Sequence, residues 1–189
     1  MPDFPHNIWA PWRMEYIHAL AGESGGCFLC DYAAHPAKDA TNLVLWRTRD
    51  VMVLLNRFPY TNGHLLVAPT AHKGDLADFP AKALGELMRQ TARAKRLLAA
   101  ALGAHGFNIG INFGRCAGAG LPDHLHVHVV PRWNGDTNFM AVLGNVRVIP
   151  DGLEQCRARL LAALKASRGR KGKRTRDRSG GAAGPRRKK

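Results

Sequence analysis

The chain has 189 residues, 46% of them hydrophobic, which is enough to bury the core of one domain. It has neither an apolar signal core after Met1 nor an apolar run of 18 residues, so we expect a cytoplasmic protein rather than a secreted or membrane-spanning one. The formal net charge of +14 does not mark the whole chain as a nucleic-acid-binding protein, because residues 168–189 hold 11 Lys or Arg against one Asp.

This basic segment contains no hydrophobic side chain larger than Ala, which predicts a disordered tail. Such a tail binds polyanions, nucleic acid included, without sequence preference and with a strong salt dependence. A solubilising extension without a specific partner is the alternative. We therefore expect an N-terminal extension over 1–26, a folded domain over 27–166 and a disordered basic tail over 167–189.

Three consecutive antiparallel strands are predicted in the first half of the chain. Leu43–Arg47 and Val51–Leu55 are rich in β-forming residues and are joined by residues 48–50, which predicts a hairpin. A turn-rich loop over 56–63 leads to a third strand, His64–Ala68.

The second half predicts helices inserted between further strands. Apolar residues recur at helical spacing over Pro80–Leu102, which predicts one long amphipathic helix that ends at Gly103. Strands are expected at Phe107–Asn112 and Val146–Ile149, and a C-terminal helix at Leu153–Ala166. This order, without strict alternation of strand and helix, predicts an α+β domain with an antiparallel sheet of about five strands.

Three imidazoles stand two residues apart in the run His124-Leu125-His126-Val127-His128-Val129-Val130. Because side chains alternate along a strand, the three rings should share one face and the apolar residues the other. Histidine can attack, carry a proton or bind a metal near neutral pH, so this face indicates chemistry. The alternatives are a half-exposed polar strand face and a three-histidine catalytic zinc centre.

Two thiols are held close together in Cys27-Phe28-Leu29-Cys30. In a reducing compartment this spacing is typical of a metal clip or a redox motif rather than of a structural disulfide. As a zinc knuckle it supplies two ligands, and two more must come from elsewhere. The alternative is a reduced, metal-free pair packed in the core.

The histidine run resembles the signature of the histidine triad (HIT) family, His-φ-His-φ-His-φ-φ with φ apolar. Further segments resemble the family in the same order over about Cys27 to Pro150: Asn56 with Gly63–Pro69, Asn108–Gly114 and Pro131-Arg132. Other pieces are similar to bacterial members of the diadenosine tetraphosphate phosphorylase type: Ile8–Arg13, Ala117–Gly120 and Pro131–Phe139. The resemblance implies a HIT-like fold and a homodimer, with the long helix or the C-terminal segment at its interface.

The same resemblance implies nucleotidyl transfer through a covalent nucleotidyl-histidine intermediate. His126, the middle imidazole, is then the nucleophile that attacks the α-phosphate, and it requires an unprotonated nitrogen while its other nitrogen donates. His128 hydrogen-bonds phosphate oxygens or the departing group. The implied nucleotide-binding residues are Asn56 on the ribose side, Asn112, the backbone amides of Gly118, Ala119 and Gly120, and His128 itself.

Some HIT relatives, including the uridylyltransferase branch, complete a zinc site beside the triad. The resemblance thus implies a structural zinc ion held by Cys27, Cys30, His72 and His124. With His124 as a zinc ligand, His126 remains free to attack, which argues against the three-histidine zinc centre.

The expected reaction is phosphorolysis of diadenosine tetraphosphate to ADP and ATP. Many family members carry a Gln in the glycine loop, but Ala119-Gly120-Leu121 has none, which weakens a hydrolase assignment and leaves room for phosphate as the acceptor. Arg115 or Arg132 would hold that anion. The alternatives are hydrolysis of nucleoside phosphoramidates or dinucleotides, sugar-nucleotide transfer, and a nucleotide-sensing, RNA-associated binding protein that acts through its basic tail.

Overall fold

The computed structural model describes residues 26–136 and 151–179, with side chains described as far as Ser167. Helices in these ranges are α1 (Phe28–Ala34), α2 (Ala81–Leu102) and α3 (Leu153–Ser179). The strands are β1 (Val44–Arg47), β2 (Val51–Leu55), β3 (Leu65–Pro69), β4 (Gly106–Gly110) and β5 (Val127–Arg132). The predicted strand at Val146–Ile149 and the motif piece Ile8–Arg13 lie outside the described residues.

The five strands form one sheet in the order β1-β2-β3-β5-β4, and every neighbouring pair is antiparallel. This confirms the predicted α+β class. The three strands expected in the first half of the chain are present as β1, β2 and β3. The fourth strand ends at Gly110, two residues before its predicted end at Asn112. No helix in the described ranges is long and apolar enough to cross a membrane.

The two faces of the sheet pack against different helices. Leu125, Val127 and Val129 enter the main core, which also contains buried residues of α2 and α3. A smaller cluster on the other face contains Met52 and Leu66 and is covered by α1. Each fully buried aliphatic side chain stabilises the fold by about 1.5–3 kcal/mol. The predicted alternation is therefore confirmed, since the odd-numbered members of the histidine run face the main core.

Helix α1 was not predicted, because its sequence was interpreted only as a pair of metal ligands. The Cys27 sulfur accepts the backbone N–H of Cys30 at 3.4 Å and caps the helix start, although cysteine is not a usual N-cap residue. At the other end, Arg47 of β1 donates to the Tyr32 carbonyl at 2.6 Å and pairs with Asp39. A cation at helix C-terminal carbonyls is stabilising, so these contacts fix α1 against the sheet.

Strand β5 begins at Val127 rather than at His124, which corrects the prediction that all three histidines lie in a strand. The ladder between β3 and β5 stops at the pair Val67↔Val127. Two residues further along β3 stands Pro69, which has no backbone N–H to donate. The backbone N–H of Leu125 donates instead to the Lys73 carbonyl at 2.7 Å.

Helix α3 continues to Ser179, beyond the predicted end at Ala166 and into the segment expected to be disordered. Lys and Arg have favourable helix propensities, so helical backbone persists after the hydrophobic residues end. Residues 180–189 lie outside the described ranges. The division into an extension over 1–26, a domain over 27–166 and a tail over 167–189 stays a prediction.

A close backbone contact holds the segment that leads into the histidine run. A Cβ atom placed on Gly74 would lie 2.7 Å from the Pro122 carbonyl oxygen and 3.2 Å from the Asp123 Cα. Both are backbone atoms, so they cannot move aside as a flexible side chain would. Glycine at position 74 therefore allows the two segments to touch.

We expect Gly74→Ala to lower the free energy of unfolding by about 1–3 kcal/mol, because the new methyl group overlaps backbone. The matched control is Gly85→Ala in α2, where the nearest atom is an Arg89 side-chain nitrogen at 3.7 Å. This control should raise the free energy of unfolding by about 0.5–1 kcal/mol through helix propensity. Urea denaturation measures both, and equal effects of the two substitutions would contradict the contact.

Candidate functional site

His126 is held by the backbone that precedes it. Its Nδ1–H donates to the His124 carbonyl at 2.8 Å. A carbonyl can only accept, so Nδ1 carries the proton and Nε2 keeps its lone pair in the neutral ring. The side chain is buried, and burial lowers its pKa from the usual 6.5, opposed by the hydrogen bond to His124. The ring is thus neutral near pH 7, with one nitrogen suited to nucleophilic attack.

A fourth histidine, His64, lies beside the triad and precedes β3. Its Nδ1 accepts the backbone N–H of Tyr60 at 3.1 Å and the side-chain amide of Asn56 at 3.3 Å. An amide N–H can only donate, so the proton of His64 must be on Nε2. Burial, followed by the charges of His128 and His126, lowers the pKa of His64 to about 3. This ring is therefore neutral at any physiological pH.

The tautomer of His64 sets that of His128. His64 Nε2 lies 3.0 Å from His128 Nδ1, and because Nε2 is protonated it donates to Nδ1. The proton of a neutral His128 must then be on its own Nε2. The His128 ring centroid lies 4.9 Å from that of His126, so a hydrogen-bond donor stands next to the candidate nucleophile. Tyr60 stacks on His128 at 5.8 Å between centroids.

Sequence analysis gave His64 no role in the site: it was the first residue of a strand and part of the segment Gly63–Pro69 that resembles the family. Pairing of β3 with β5 places Leu66 opposite His128, so His64 is the diagonal neighbour of His128 on the same face. The even numbering of both His64 and His128 is a sequence signal that they can lie on the same face of the sheet. This signal predicts their contact only when the pairing and the register of β3 and β5 are known.

Asn56 and Asn112, two of the predicted nucleotide-binding residues, lie at different edges of the site. Asn56 is bonded to His64, and its Oδ1 accepts the backbone N–H of Phe58 at 3.0 Å. Asn112 donates to the Gly118 carbonyl at 3.4 Å and so supports the glycine loop. The structure therefore brings Asn56 to the His128 side and Asn112 to the loop that precedes the triad.

Two backbone amides of the glycine loop donate to carbonyls of the loop itself. The N–H of Gly118 donates to the Arg115 carbonyl at 2.9 Å, and that of Ala119 to the Gly114 carbonyl at 3.2 Å. A positive φ of 87° at Gly118 permits this turn. Among the three predicted amide donors, only that of Gly120 is bonded to no carbonyl of the described residues.

Arg132, one of the two arginines predicted to bind the acceptor phosphate, already has an acidic and a polar partner. Its Nε and Nη2 donate to the Asp136 carboxylate at 2.5 and 2.8 Å, and its Nη1 donates to Asn108 at 3.0 Å. The Asp136 carboxylate raises the pKa of the guanidinium. Binding an anion at Arg132 would compete with this ion pair, whereas Arg115 stands in the glycine loop itself.

The four predicted metal ligands are brought together from three separate segments. The Cys27 Sγ lies 3.0 Å from the His124 Nδ1, and the Cys30 Sγ lies 3.2 Å from the His72 Nδ1. All four ligand atoms lie within 4.8 Å of one another. Two thiolates and two imidazoles at this separation suit a four-coordinate zinc ion, whose bonds are about 2.0–2.3 Å long.

The second nitrogen of His124 tests this fit. Its Nε2–H donates to the Pro69 carbonyl at 2.8 Å, which leaves Nδ1 unprotonated and facing the two cysteines. Burial raises the pKa of Cys27 to about 11, so its thiol needs a cation to become a thiolate at neutral pH. The donor set thus fits zinc, and a zinc ion here would hold α1 against the segment that leads to His126, the candidate nucleophile.

Comparison with known proteins gives a family for this arrangement. The model of the HIT domain matches residues 37–135. The AP-4-A phosphorylase of Mycobacterium tuberculosis is 39% identical over 165 residues, which cover 82% of this chain and 82% of that protein. The asymmetrical bis(5'-nucleosyl)-tetraphosphatase of Schizosaccharomyces pombe is 32% identical over 93 residues, or 49% of this chain and 50% of that protein.

The fold also matches a solved structure. A zinc-bound histidine triad family protein from Mycobacterium smegmatis superposes with a TM-score of 0.57 at 32% sequence identity. The superposition covers 76% of this chain and 96% of that protein.

The neutral, buried state of His64 predicts a pH-dependent stability. In the unfolded chain His64 titrates near 6.5, whereas in the fold its pKa is about 3. The unfolded state therefore binds more protons below pH 6.5, and stability falls as the pH falls. Between pH 7 and pH 5, His64 alone should cost about 2 kcal/mol of unfolding free energy.

Between pH 7 and pH 5, we expect His64→Gln to lose about 2 kcal/mol less unfolding free energy than the parent protein loses. Gln also keeps a donor for His128 Nδ1, whereas the similarly long Met in His64→Met does not. Urea denaturation at the two pH values gives the free energies. An equally steep loss in the parent protein and in both variants would show that His64 is not the group responsible.

Proposed function

This chain belongs to the HIT domain family, and we propose that it transfers a nucleotidyl group from a dinucleoside polyphosphate through a nucleotidyl-histidine intermediate. The observation that carries the proposal is the hydrogen bond from His126 Nδ1–H to the His124 carbonyl, since it presents a neutral Nε2 lone pair. The relatives named as an AP-4-A phosphorylase and as a bis(5'-nucleosyl)-tetraphosphatase support this substrate class.

In the first step, His126 Nε2 attacks the α-phosphorus of diadenosine tetraphosphate. The N–P bond forms as the bond from the α-phosphorus to the bridging oxygen breaks, and ATP departs with that electron pair. The proton stays on Nδ1, held by the His124 carbonyl, so the adenylylated imidazole carries a positive charge and is a good leaving group in the next step. His128 Nε2–H donates to a phosphoryl oxygen on which charge develops.

In the second step, inorganic phosphate attacks the adenylylated His126. A phosphate oxygen forms the new P–O bond, the N–P bond breaks, and ADP leaves while Nε2 recovers its lone pair. The absence of Gln from Ala119-Gly120-Leu121 favours phosphate over water as the acceptor. Arg115 is the better candidate to hold the phosphate, because Arg132 is paired with Asp136.

The nucleotide is bound by groups on both sides of the nucleophile. We propose that Asn56 contacts the ribose and that the Gly120 amide donates to phosphate oxygens, with Gly118 and Ala119 shaping the loop. Asn112 supports this loop by bonding the Gly118 carbonyl.

We propose zinc as the ion at Cys27, Cys30, His72 and His124. The distances between the ligand atoms and the zinc-bound HIT protein from Mycobacterium smegmatis support this choice. The ion supplies charge that keeps both sulfurs as thiolates, while the four side chains join α1, the segment after β3 and the segment before β5.

The assembly and the location of the protein are further proposals. Strand β4 forms an edge of the sheet, with Ile109 46% exposed, and α2 carries Met88 at 57% exposure. These apolar side chains, and the position of β4 at the edge of the sheet formed by the described strands, support a homodimer. We also propose that residues 167–189 contact nucleic acid non-specifically and that the protein is cytoplasmic.

The reaction is tested by intact mass spectrometry after mixing with diadenosine tetraphosphate without phosphate. We expect a mass gain of one adenylyl group on the parent protein and none on His126→Ala, whose turnover should fall by about 10³-fold or more. The exposed His35→Ala serves as the histidine control and should still form the adduct. With phosphate added, ADP and ATP should appear in equal amounts; AMP formed without any phosphate requirement would instead indicate hydrolysis.

Metal content tests the zinc proposal on protein prepared without a polyhistidine tag. We expect about one zinc per chain, because four ligand side chains form one site. The Cys27→Ser/Cys30→Ser double variant should lose the zinc, whereas Cys116→Ser, which alters an exposed cysteine outside the cluster, should keep it. A metal-free parent protein whose unfolding is unchanged by a chelator would contradict the proposal.

A further inference from the structure

We propose that Cys27 and Cys30 form an oxidisable dithiol, and that its conversion to a disulfide by a peroxide dismantles the metal cluster and loosens the hold on His126. The consequence for turnover rests on the proposed function, but the thiol chemistry and the change at His126 do not. The cluster would thus serve as a redox control of the nucleophile in addition to its structural role.

The two thiols are placed for this chemistry. Cys27 and Cys30 are half-buried rather than enclosed, and the neighbouring ligand His72 is exposed to solvent. A small oxidant therefore has access to the sulfurs. The two residues stand at the start of α1, where the Cys27 sulfur accepts the Cys30 N–H, and a Cys-x-x-Cys pair at a helix start is a spacing that forms disulfides.

The oxidation balances with hydrogen peroxide as the oxidant. One thiolate attacks a peroxide oxygen, the O–O bond breaks, and the hydroxide released takes a proton to give water and a sulfenic acid. The second thiolate attacks this sulfur, the S–O bond breaks, and a second hydroxide takes a proton to give water. Two thiolates, one peroxide and two protons thus become one disulfide and two waters. His72 and His124 remain as the only two ligands of the cluster.

His124 connects the cluster to the nucleophile. Its Nδ1 faces the Cys27 sulfur at 3.0 Å, its Nε2 is bonded to the Pro69 carbonyl, and its own carbonyl accepts the His126 Nδ1–H at 2.8 Å. One residue therefore contributes its side chain to the metal ligands and its backbone to the hydrogen bond that fixes the His126 tautomer. A shift of His124 after ligand loss alters the orientation of His126.

A second connection runs through the segment that carries His72. The Lys73 carbonyl accepts the Leu125 N–H at 2.7 Å, and Gly74 packs against the backbone of Pro122 and Asp123. Release of His72 therefore relaxes a segment in direct contact with the residues on either side of His124. Both connections lead from the thiols to the backbone that positions His126.

The test treats the full-length, zinc-loaded protein with hydrogen peroxide. We expect zinc release, measured with a chromophoric chelator, and a loss in mass of two hydrogen atoms mapped by peptide analysis to Cys27 and Cys30. Nitrogen-15 signals of His126, which report the protonated ring nitrogen, should change. Formation of the adenylyl adduct should slow by about tenfold or more, and dithiothreitol with zinc should reverse all four changes.

Two variants test which thiols make the protein sensitive to peroxide. Cys30→His keeps a nitrogen ligand for zinc but cannot form the disulfide, so it should retain zinc and its own starting rate at peroxide doses that inactivate the parent protein. Cys116→Ser removes the exposed cysteine of the glycine loop and should remain as sensitive as the parent protein. Equal sensitivity of Cys30→His, or protection by Cys116→Ser, would overturn the assignment of the thiols.

The coupling itself has a separate test. If the disulfide forms and zinc is released while the His126 signals and the adduct rate stay unchanged, the link through His124 is wrong. A protein that forms no adduct even before oxidation would refute the proposed function, and the zinc, mass and nitrogen-15 measurements would still decide the redox inference.

Discussion

The hydrogen bond of 2.8 Å between His126 Nδ1–H and the His124 carbonyl connects His126 to the cluster of two cysteines and two histidines. It exists because the β3–β5 ladder stops at Val127, so the His124 carbonyl lies outside the ladder and can accept from a side chain. The ladder stops where Pro69 has no N–H to offer. The Pro69 carbonyl also accepts from the His124 ring, so one proline both ends the ladder and orients a proposed metal ligand.

Backbone groups fix which nitrogen carries the proton in neutral His126 and in the histidines beside it. The His124 carbonyl assigns the proton of His126 to Nδ1, and the Tyr60 N–H assigns that of His64 to Nε2, from which His128 takes its own tautomer. Neither backbone group titrates. In the neutral rings, the fold therefore decides which nitrogen donates and which accepts.

Several features followed from sequence because they depend on local periodicity. The alternation in the histidine run placed Leu125 and its odd-numbered neighbours in the main core. The resemblance to HIT proteins implied four metal-ligating residues, and the structure brings their side chains together. The features that were missed depend on distant residues. The role of His64 requires its contact with His128, 64 positions later, and the true start of β5 is decided by Pro69 on another strand. Helix α1 depends on a cysteine cap and on Arg47.

The proposed metal ligands Cys27 and His124 are separated by 97 positions in the chain. During synthesis, the thiols emerge from the ribosome well before the imidazoles that complete their cluster, and such distant partners close a large loop late in folding. Until then each nascent chain carries two unprotected sulfurs. With zinc as the proposed ion, maturation would require the two thiols to stay reduced, and metal to be supplied, until His124 has left the ribosome.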